Sequence, residues 1–308
     1  MSSINTNFAA MTALQSLQKT SMALLETQSR ISTGFKVGTA SDNAAYFSIA
    51  ATMRSDNSAM STVQDALGLG AATVDVAYTA LESTIDVVDE IKNKLVAARE
   101  PGIDRTKVQA EITELQNQLT GIAGSASFNG ENYLSVDSGA ADYNATKSIV
   151  SSFTRSGSSV SIGTISIDIT TTTLFDADTT NTGILDTVST TTNGAVAYTV
   201  ANLDISALTD SALDLADLEE IISTVDGALG SVITAASDLG ASSKRIELQQ
   251  TFVSNLMDAV DRGISTLVDA DMNEESTRLQ ALQVQQQLGI QALSIANSSS
   301  QSILSLFR

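Results

Sequence analysis

The 308 residues contain no cysteine, no histidine and no tryptophan, and only one proline. Without cysteine there is no disulfide, no thiolate chemistry and no sulfur-ligated metal. Without histidine the commonest general base and the commonest metal ligand are both missing. Aromatic residues make up 4% of the chain, too few to build stacking platforms for bases or sugars. A single proline, where ordinary usage is about 5%, leaves long helices uninterrupted, because interior proline breaks them. Pro101-Gly102 then reads as a turn. No apolar run is long enough for a membrane span, and nothing at the start resembles a cleavable signal peptide. A secreted destination would need a route that does without one.

Basic residues are scarce. The formal charge is −19 and the pI is near 4.1. Nucleic-acid binding needs Lys and Arg to neutralise phosphates, and an anionic membrane surface needs a polybasic patch; neither partner is expected. The acid is concentrated in the middle: from Asp137 to Asp238 fourteen acidic residues face two basic ones, Lys147 and Arg155. The two ends lack charge. Residues 1–18 carry none, and from Leu279 to Phe307 there is none either.

What is present is helical periodicity. Leu14, Leu17, Ser21, Leu24, Gln28 and Ile31 step by three and four, the spacing of a heptad stripe. After a loop at Gly34–Gly38, Ser41 is the expected N-cap, with Asp42 in the first turn. The apolar run then includes Met60, Val63, Leu67, Val74, Leu81, Val88, Leu95 and Ala98, giving an expected helix over 41–99, roughly 90 Å long. A shorter helix follows the turn, marked by Val108, Ile112, Leu115, Leu119 and Ile122. The far half mirrors this with Leu218, Val225, Leu229, Val232, Leu239, Ile246, Val253, Met257, Val260 and Ile264. A break near Asp269–Asn273 precedes a last helix carrying Ala281, Gln285, Leu288, Ala292, Ile295 and Leu306. The middle, about 140–205, is rich in Ser and Thr. Its alternations Val160/Ile162, Ile165/Ile167/Ile169 and Val196/Tyr198/Val200 read as half-buried strands with a bulge or bend at Gly163. The fold class is therefore mainly α, with long coiled-coil-like helices from both termini and a small β-rich insert. That insert is expected to contribute little to the helical core.

The uncharged ends are the most informative feature. A solvent-facing helix ordinarily carries Lys and Glu, yet the last helix shows Gln280, Gln283, Gln286, Gln287, Gln291, Asn297 and Gln301. A charge is costly to bury, whereas an amide is satisfied by neighbours. Two readings follow: a coiled-coil arm within one molecule, or burial between subunits after assembly. The charge vacancy favours the second. No catalytic, cofactor or metal signature is present. The pairs Glu219-Glu220 and Glu274-Glu275 read as solvated faces, because adjacent helical positions point apart. Asp176 and Asp178 read as turn chemistry, since the rest of a calcium ligand set is missing.

The opening Ser3-Ile4-Asn5-Thr6-Asn7, the stretch ISTGFKVGTASDNAA from Ile31 to Ala45, Gln109-Ala110-Glu111-Ile112 followed by Phe128-Asn129-Gly130, and the tail ANSSSQSILSLFR together resemble bacterial flagellins. The motifs are of α-proteobacterial character, and the resemblance spans 1–136 and 210–308. It implies a self-assembling helical filament used for swimming, with residues 1–40 and 270–308 as an inner layer and 41–140 with 206–269 as a helical layer bearing a β-hairpin near 125–145. Residues 141–205 become a variable outer insert. Inter-subunit packing then falls to Leu14, Leu17, Leu24, Ile31, Leu288, Ala292, Ile295 and Leu306. The same resemblance implies type III export, supercoiling, and partnership with an export chaperone, a filament cap, hook-associated proteins and paralogous flagellins. A hook–filament junction protein shares such termini and is the alternative. An epitope read by an animal innate immune receptor in enteric flagellins is degenerate here: Glu111 matches, but Lys92 and Leu95 stand in a segment that lacks the expected Arg.

Overall fold

Asn7 starts the first helix by placing its side chain across the first turn: Oδ1 accepts from the Ala10 amide at 3.0 Å, satisfying one of the helix's orphan donors. In the computed structural model, which describes residues 6–157, 159–178 and 182–305, this helix is α1, Phe8–Thr33. It stops at Gly34, whose φ of +78° is a left-handed conformation that glycine adopts without strain. Then come α2 (Ala44–Ala97) and α3 (Arg105–Ser125). Long helices α4 (Ala212–Val268) and α5 (Met272–Ser305) close the chain.

The start of α2 differs from expectation. Asn43, not Ser41, is the cap: its Oδ1 accepts from the amides of Ala45 at 3.1 Å and Tyr46 at 3.2 Å. Asp42 stays outside the helix and folds back on the loop, accepting from the amides of Gly38 at 3.0 Å and Thr39 at 2.8 Å. Those bonds, that from Thr39 foremost, hold its carboxyl below the ordinary range. At the other break, α4 ends at Val268, and Asp271 caps α5 through Oδ1, which accepts from the Asn273 amide at 2.8 Å.

The chain forms two compact units, residues 1–58 with 257–308 and residues 59–256. In the second, α2 packs along α4 in antiparallel fashion: Ser243 Oγ donates to Asp75 Oδ1 at 2.8 Å and Lys92 Nζ reaches Asp226 at 3.4 Å. The predicted layer residues lie inside. Leu67, Val74, Leu81, Val88, Val225 and Val232 are wholly buried, and Met60, Val63, Leu229 and Val253 nearly so. In the first unit Ile264 is buried, while Met257 and Val260 are half-buried. A small cluster of Val37, Ala50 and Val268, with Phe47 and Leu267 against it, closes the loop after α1 onto that unit.

Between α3 and α4 the described residues form four two-stranded sheets. Strands β1 (Ser127–Phe128) and β2 (Glu131–Asn132) are antiparallel across Asn129 and Gly130, both with positive φ, the geometry of a tight two-residue hairpin. Strand β3 (Ser135–Val136) pairs in parallel with β6 (Phe175–Asp176). The tight β1–β2 hairpin lies in the segment 125–145 where a hairpin was expected; a longer one, β4 (Thr146–Ser156) with β5 (Ser159–Asp168), follows it. The last pair is β7 (Ser189–Thr190) with β8 (Ala197–Tyr198).

The irregularity sensed at Gly163 is a bulge on the facing strand: the register slips between Val150 and Ser152, and Gly163 lies opposite Ser152. Ile165, Ile167 and Ile169 are buried as predicted. Val160, Ile162 and Val196 are exposed, against expectation.

The insert is not marginal to the helical core, contrary to expectation. Ile149 sits in a notch on α2 at Gly70, where a Cβ would come within 2.5 Å of Ile149 Cγ2. Gln249 of α4 donates to the Ser151 carbonyl at 2.9 Å. From α3, Gln116 Nε2 donates to the carbonyls of Val200 at 3.1 Å and Leu203 at 3.2 Å. Gln109 accepts from the Ile205 amide at 2.9 Å. Buried Asp217 of α4 accepts from the amides of Asn193 at 3.0 Å and Gly194 at 2.8 Å. Asp176 feels burial, which raises a carboxyl, but hydrogen bonds from Ser138, Thr182 and Asp178 prevail and hold it well below the ordinary range.

The Gly70 notch sets competing terms for Gly70→Ala. Helix propensity favours alanine by about 1 kcal/mol, while the clash with Ile149 costs about 1–3 kcal/mol. A net loss of about 1 kcal/mol is expected in denaturant unfolding, turning into a gain when measured in an Ile149→Ala background.

Candidate assembly surface

The helices with uncharged ends, α1 and α5, pack on each other in the first unit, running antiparallel. Asn7 Nδ2 donates to the Ala296 carbonyl at 2.9 Å. A Cβ on Gly289 would lie 3.3 Å from Leu17 Cδ1, so the missing side chain admits the leucine. Arg30 Nη1 meets Glu275 Oε1 at 3.2 Å.

Each helix contributes a heptad seam to this pairing. On α1 it runs through Ala10, Ala13, Leu17, Thr20, Leu24, Thr27 and Ile31, all buried or half-buried, with Ser21, Ala23 and Arg30 half-buried beside it. On α5 it runs through Glu275, Leu279, Leu282, Gln286, Gly289, Leu293 and Ala296. Both alternate steps of three and four, and small or polar residues let the backbones approach. The pairing buries little: among the described residues Thr27 alone is fully buried on α1 and Glu275 alone on α5.

A second seam runs along each helix, two residues out of phase and so about 200° round the axis. On α1 it is Phe8, Met11, Gln15, Gln18, Met22 and Leu25; on α5 it is Thr277, Ala281, Val284, Leu288, Gln291 and Ile295. Every one of these residues is exposed. Leu288 is 58% and Ile295 68% accessible. Neither seam contains a charge.

The predicted site residues divide between the seams. Leu17, Leu24 and Ile31 face α5 of their own chain. Leu14 is exposed between the two seams of α1, and Leu288, Ala292 and Ile295 are exposed on α5. Leu306 lies outside the described residues. Periodicity missed the inner seam of α5, whose Glu275, Gln286 and Gly289 give no apolar signal. Glu275 is not on a solvated face: it is buried, with Oε1 held by Arg30 and by Arg278 at 3.5 Å. Of the other acidic pair, Glu219 meets Arg99 and Glu220 accepts from the Thr192 amide at 2.9 Å. Arg105 was also missed. Buried at the start of α3, it donates to the carbonyls of Ala98 at 3.1 Å and Leu208 at 3.2 Å and pairs with Asp210 at 2.8 Å. A lone Arg next to a proline turn gives no sequence signal of burial.

Of the degenerate epitope, Leu95 is wholly buried. Lys92 pairs with Asp89 at 3.1 Å, and Glu111 is held by Lys94 at 2.7 Å. Among the described residues no helix is long and apolar enough to cross a membrane. Nor do three His, Cys, Asp or Glu side chains there gather in a way that would hold a metal ion.

Comparison with known proteins decides what the paired helices belong to. Residues 4–138 match the bacterial flagellin N-terminal helical region, and residues 222–307 match the bacterial flagellin C-terminal helical region. The chain belongs to the bacterial flagellin family. Flagellin C of Rhizobium meliloti is 50% identical over the whole of both chains. The flagellin of Brucella melitensis is 46% identical, again over the whole of both. Flagellin A of Rhizobium meliloti is 44% identical over an alignment of 398 positions, against 308 residues here. Among solved structures, Bacillus cereus flagellin matches 62% of this chain and 88% of its own at 17% identity, with a TM-score of 0.35, too slight a likeness to add to the fold described above. This flagellin is a structural protein, the self-assembling subunit of the extracellular flagellar filament of motile bacteria.

Arg30 compensates Glu275 inside the flagellin's α1–α5 pair. Arg30→Ala leaves that carboxylate buried with Arg278, at 3.5 Å, as its one remaining cation among the described residues. A loss of about 2 kcal/mol in local stability is expected, read as faster amide exchange along both helices with the second unit unchanged.

Proposed function

We propose that the two open seams, one on α1 and one on α5, are the surfaces through which this flagellin packs against neighbouring subunits. The observation that carries this reading is their chemistry: two exposed apolar rows without a single charge, in a chain of net charge −19. Leucine and isoleucine supply burial, while Gln and Thr tolerate desolvation when a neighbour satisfies them. A helix with seams on opposite faces suits a wall in which every helix touches neighbours on two sides. In this reading residues 1–40 and 270–308 form the innermost layer around a channel, 41–140 and 206–269 the helical layer outside it, and 141–205 the outer surface. The acid-rich middle then faces solvent and keeps filaments apart.

Four flagellins, A to D, are named in Rhizobium meliloti among the relatives. That multiplicity supports co-assembly of this subunit with paralogues. An export chaperone, a filament cap and hook-associated proteins complete the proposed partners, since a subunit lacking disulfides passes an export channel unfolded and adds at a growing end.

Leu288→Asp or Ile295→Asp places a charge on the open seam of α5. Monomer seeded with short filament fragments is expected to stop elongating, seen by electron microscopy, while circular dichroism keeps the helical signal. Filaments of normal length from either variant would overturn the assignment. For the immune receptor, burial of Leu95 and the ion-paired state of Lys92 and Glu111 support weak recognition. Purified monomer is expected to activate receptor-reporter cells poorly, and strong activation would refute this.

A further inference from the structure

The open seam of α1 carries two thioethers. Met11 is 59% and Met22 63% exposed. Eleven residues separate them, about three helical turns, so both sulfurs stand on one face between Phe8 and Leu25. By contrast, Met60 in the second unit is buried. The chain has no cysteine, so methionine is its only sulfur.

Resting on the assembly reading above, we propose that Met11 and Met22 are oxidation sites of the free subunit, and that their sulfoxides block its entry into the filament. With hydrogen peroxide as the two-electron oxidant, the thioether sulfur attacks one peroxide oxygen. The O–O bond breaks, an S–O bond forms, and the departing hydroxide takes the proton left on the sulfur-bound oxygen and leaves as water. Sulfur is oxidised by two electrons and the peroxide is reduced by the same two. The product replaces an apolar, flexible group with a polar one. In the free subunit the sulfoxide oxygen is satisfied by water; on assembly that water has to be given up inside an apolar seam. The inner seam of α1 contains neither methionine, so α1–α5 pairing survives oxidation. The block is reversible, because methionine sulfoxide reductases restore the thioether. Once polymerised, the subunit shields both sulfurs, so sensitivity is confined to the interval before incorporation.

The test uses full-length monomer treated with peroxide, site-resolved mass spectrometry, and seeded elongation followed by electron microscopy. Oxidised monomer is expected to need about tenfold or more higher concentration to elongate. Reductases A and B restore elongation, and the double variant Met11→Leu/Met22→Leu elongates and ignores peroxide. Met272, 44% exposed, remains oxidisable in that variant and serves as its internal control. In filaments treated after assembly, Met11 and Met22 stay reduced. Normal elongation of monomer carrying both sulfoxides would overturn the proposal, as would undiminished peroxide sensitivity in the double variant or failure of the reductases to restore elongation. Elongation by Leu288→Asp monomer, by contrast, would sink the assembly reading whatever peroxide does.

Discussion

Taking an ionised side chain out of water costs far more than taking out an amide or a hydroxyl, because the amide finds its hydrogen bonds again inside protein. The ends of this flagellin follow that inequality closely. On the uncharged ends, which we propose another chain covers, Gln, Ser, Asn and Thr replace Lys and Glu. The charge buried between α1 and α5 is matched, Glu275 by Arg30 and Arg278. The acidic middle carries the repulsion that keeps a concentrated polymer soluble. Assembly and solubility are thus assigned to different stretches of one sequence.

The pairing of α1 with α5 mixes Leu17, Leu24, Ile31, Leu279, Leu282 and Leu293 with small and polar residues, and a further apolar set that includes Phe8, Leu25, Leu288 and Ile295 stays exposed on the opposite faces. Here Leu17 enters the space at Gly289, while Leu288 and Ile295 point away. The subunit holds its ends together with modest burial, so with neighbours on the open seams, as proposed, stability of the ends grows as the polymer forms.

How much of this is readable in advance depends on which residues carry the signal. Long apolar periods announce themselves, so the helices and the buried positions Leu67, Leu81, Val225 and Val232 follow from spacing. Periodicity also finds Leu288 and Ile295, because they fall on a seven-residue apolar step. It cannot find the inner seam of that helix, where Glu275, Gln286 and Gly289 pack by size and pairing. The within-molecule reading of the terminal stripes holds for Leu17 and Leu24, which lie on the seam facing their own chain; the between-subunit reading rests on the proposal for the open seams. Cap choice is equally local: Ser41 and Asn43 are chemically equivalent candidates, and the loop geometry that lets Asp42 fold back on Gly38 and Thr39 decides between them. Val160 and Ile162 alternate like buried strand residues, yet β5 runs past the surface that buries Ile165 and Ile167.

The way α3 and α4 hold the insert has a consequence for its history. Gln116, Gln109, Gln249 and Asp217 bond to main-chain carbonyls and amides at Val200, Leu203, Ile205, Ser151, Asn193 and Gly194. Nearly every amino acid offers the same carbonyl and amide, so these clamps are blind to the identity of what they grip. Substitutions can accumulate in the clamped segments, and stretches between the clamps can lengthen or shrink, without a compensating change in the helices. A scaffold whose polar grip falls on backbone, with Ile149 in the Gly70 notch as a side-chain exception, leaves the held segment freedom to diverge under selection, while the seams proposed for assembly stay answerable to every neighbour they touch.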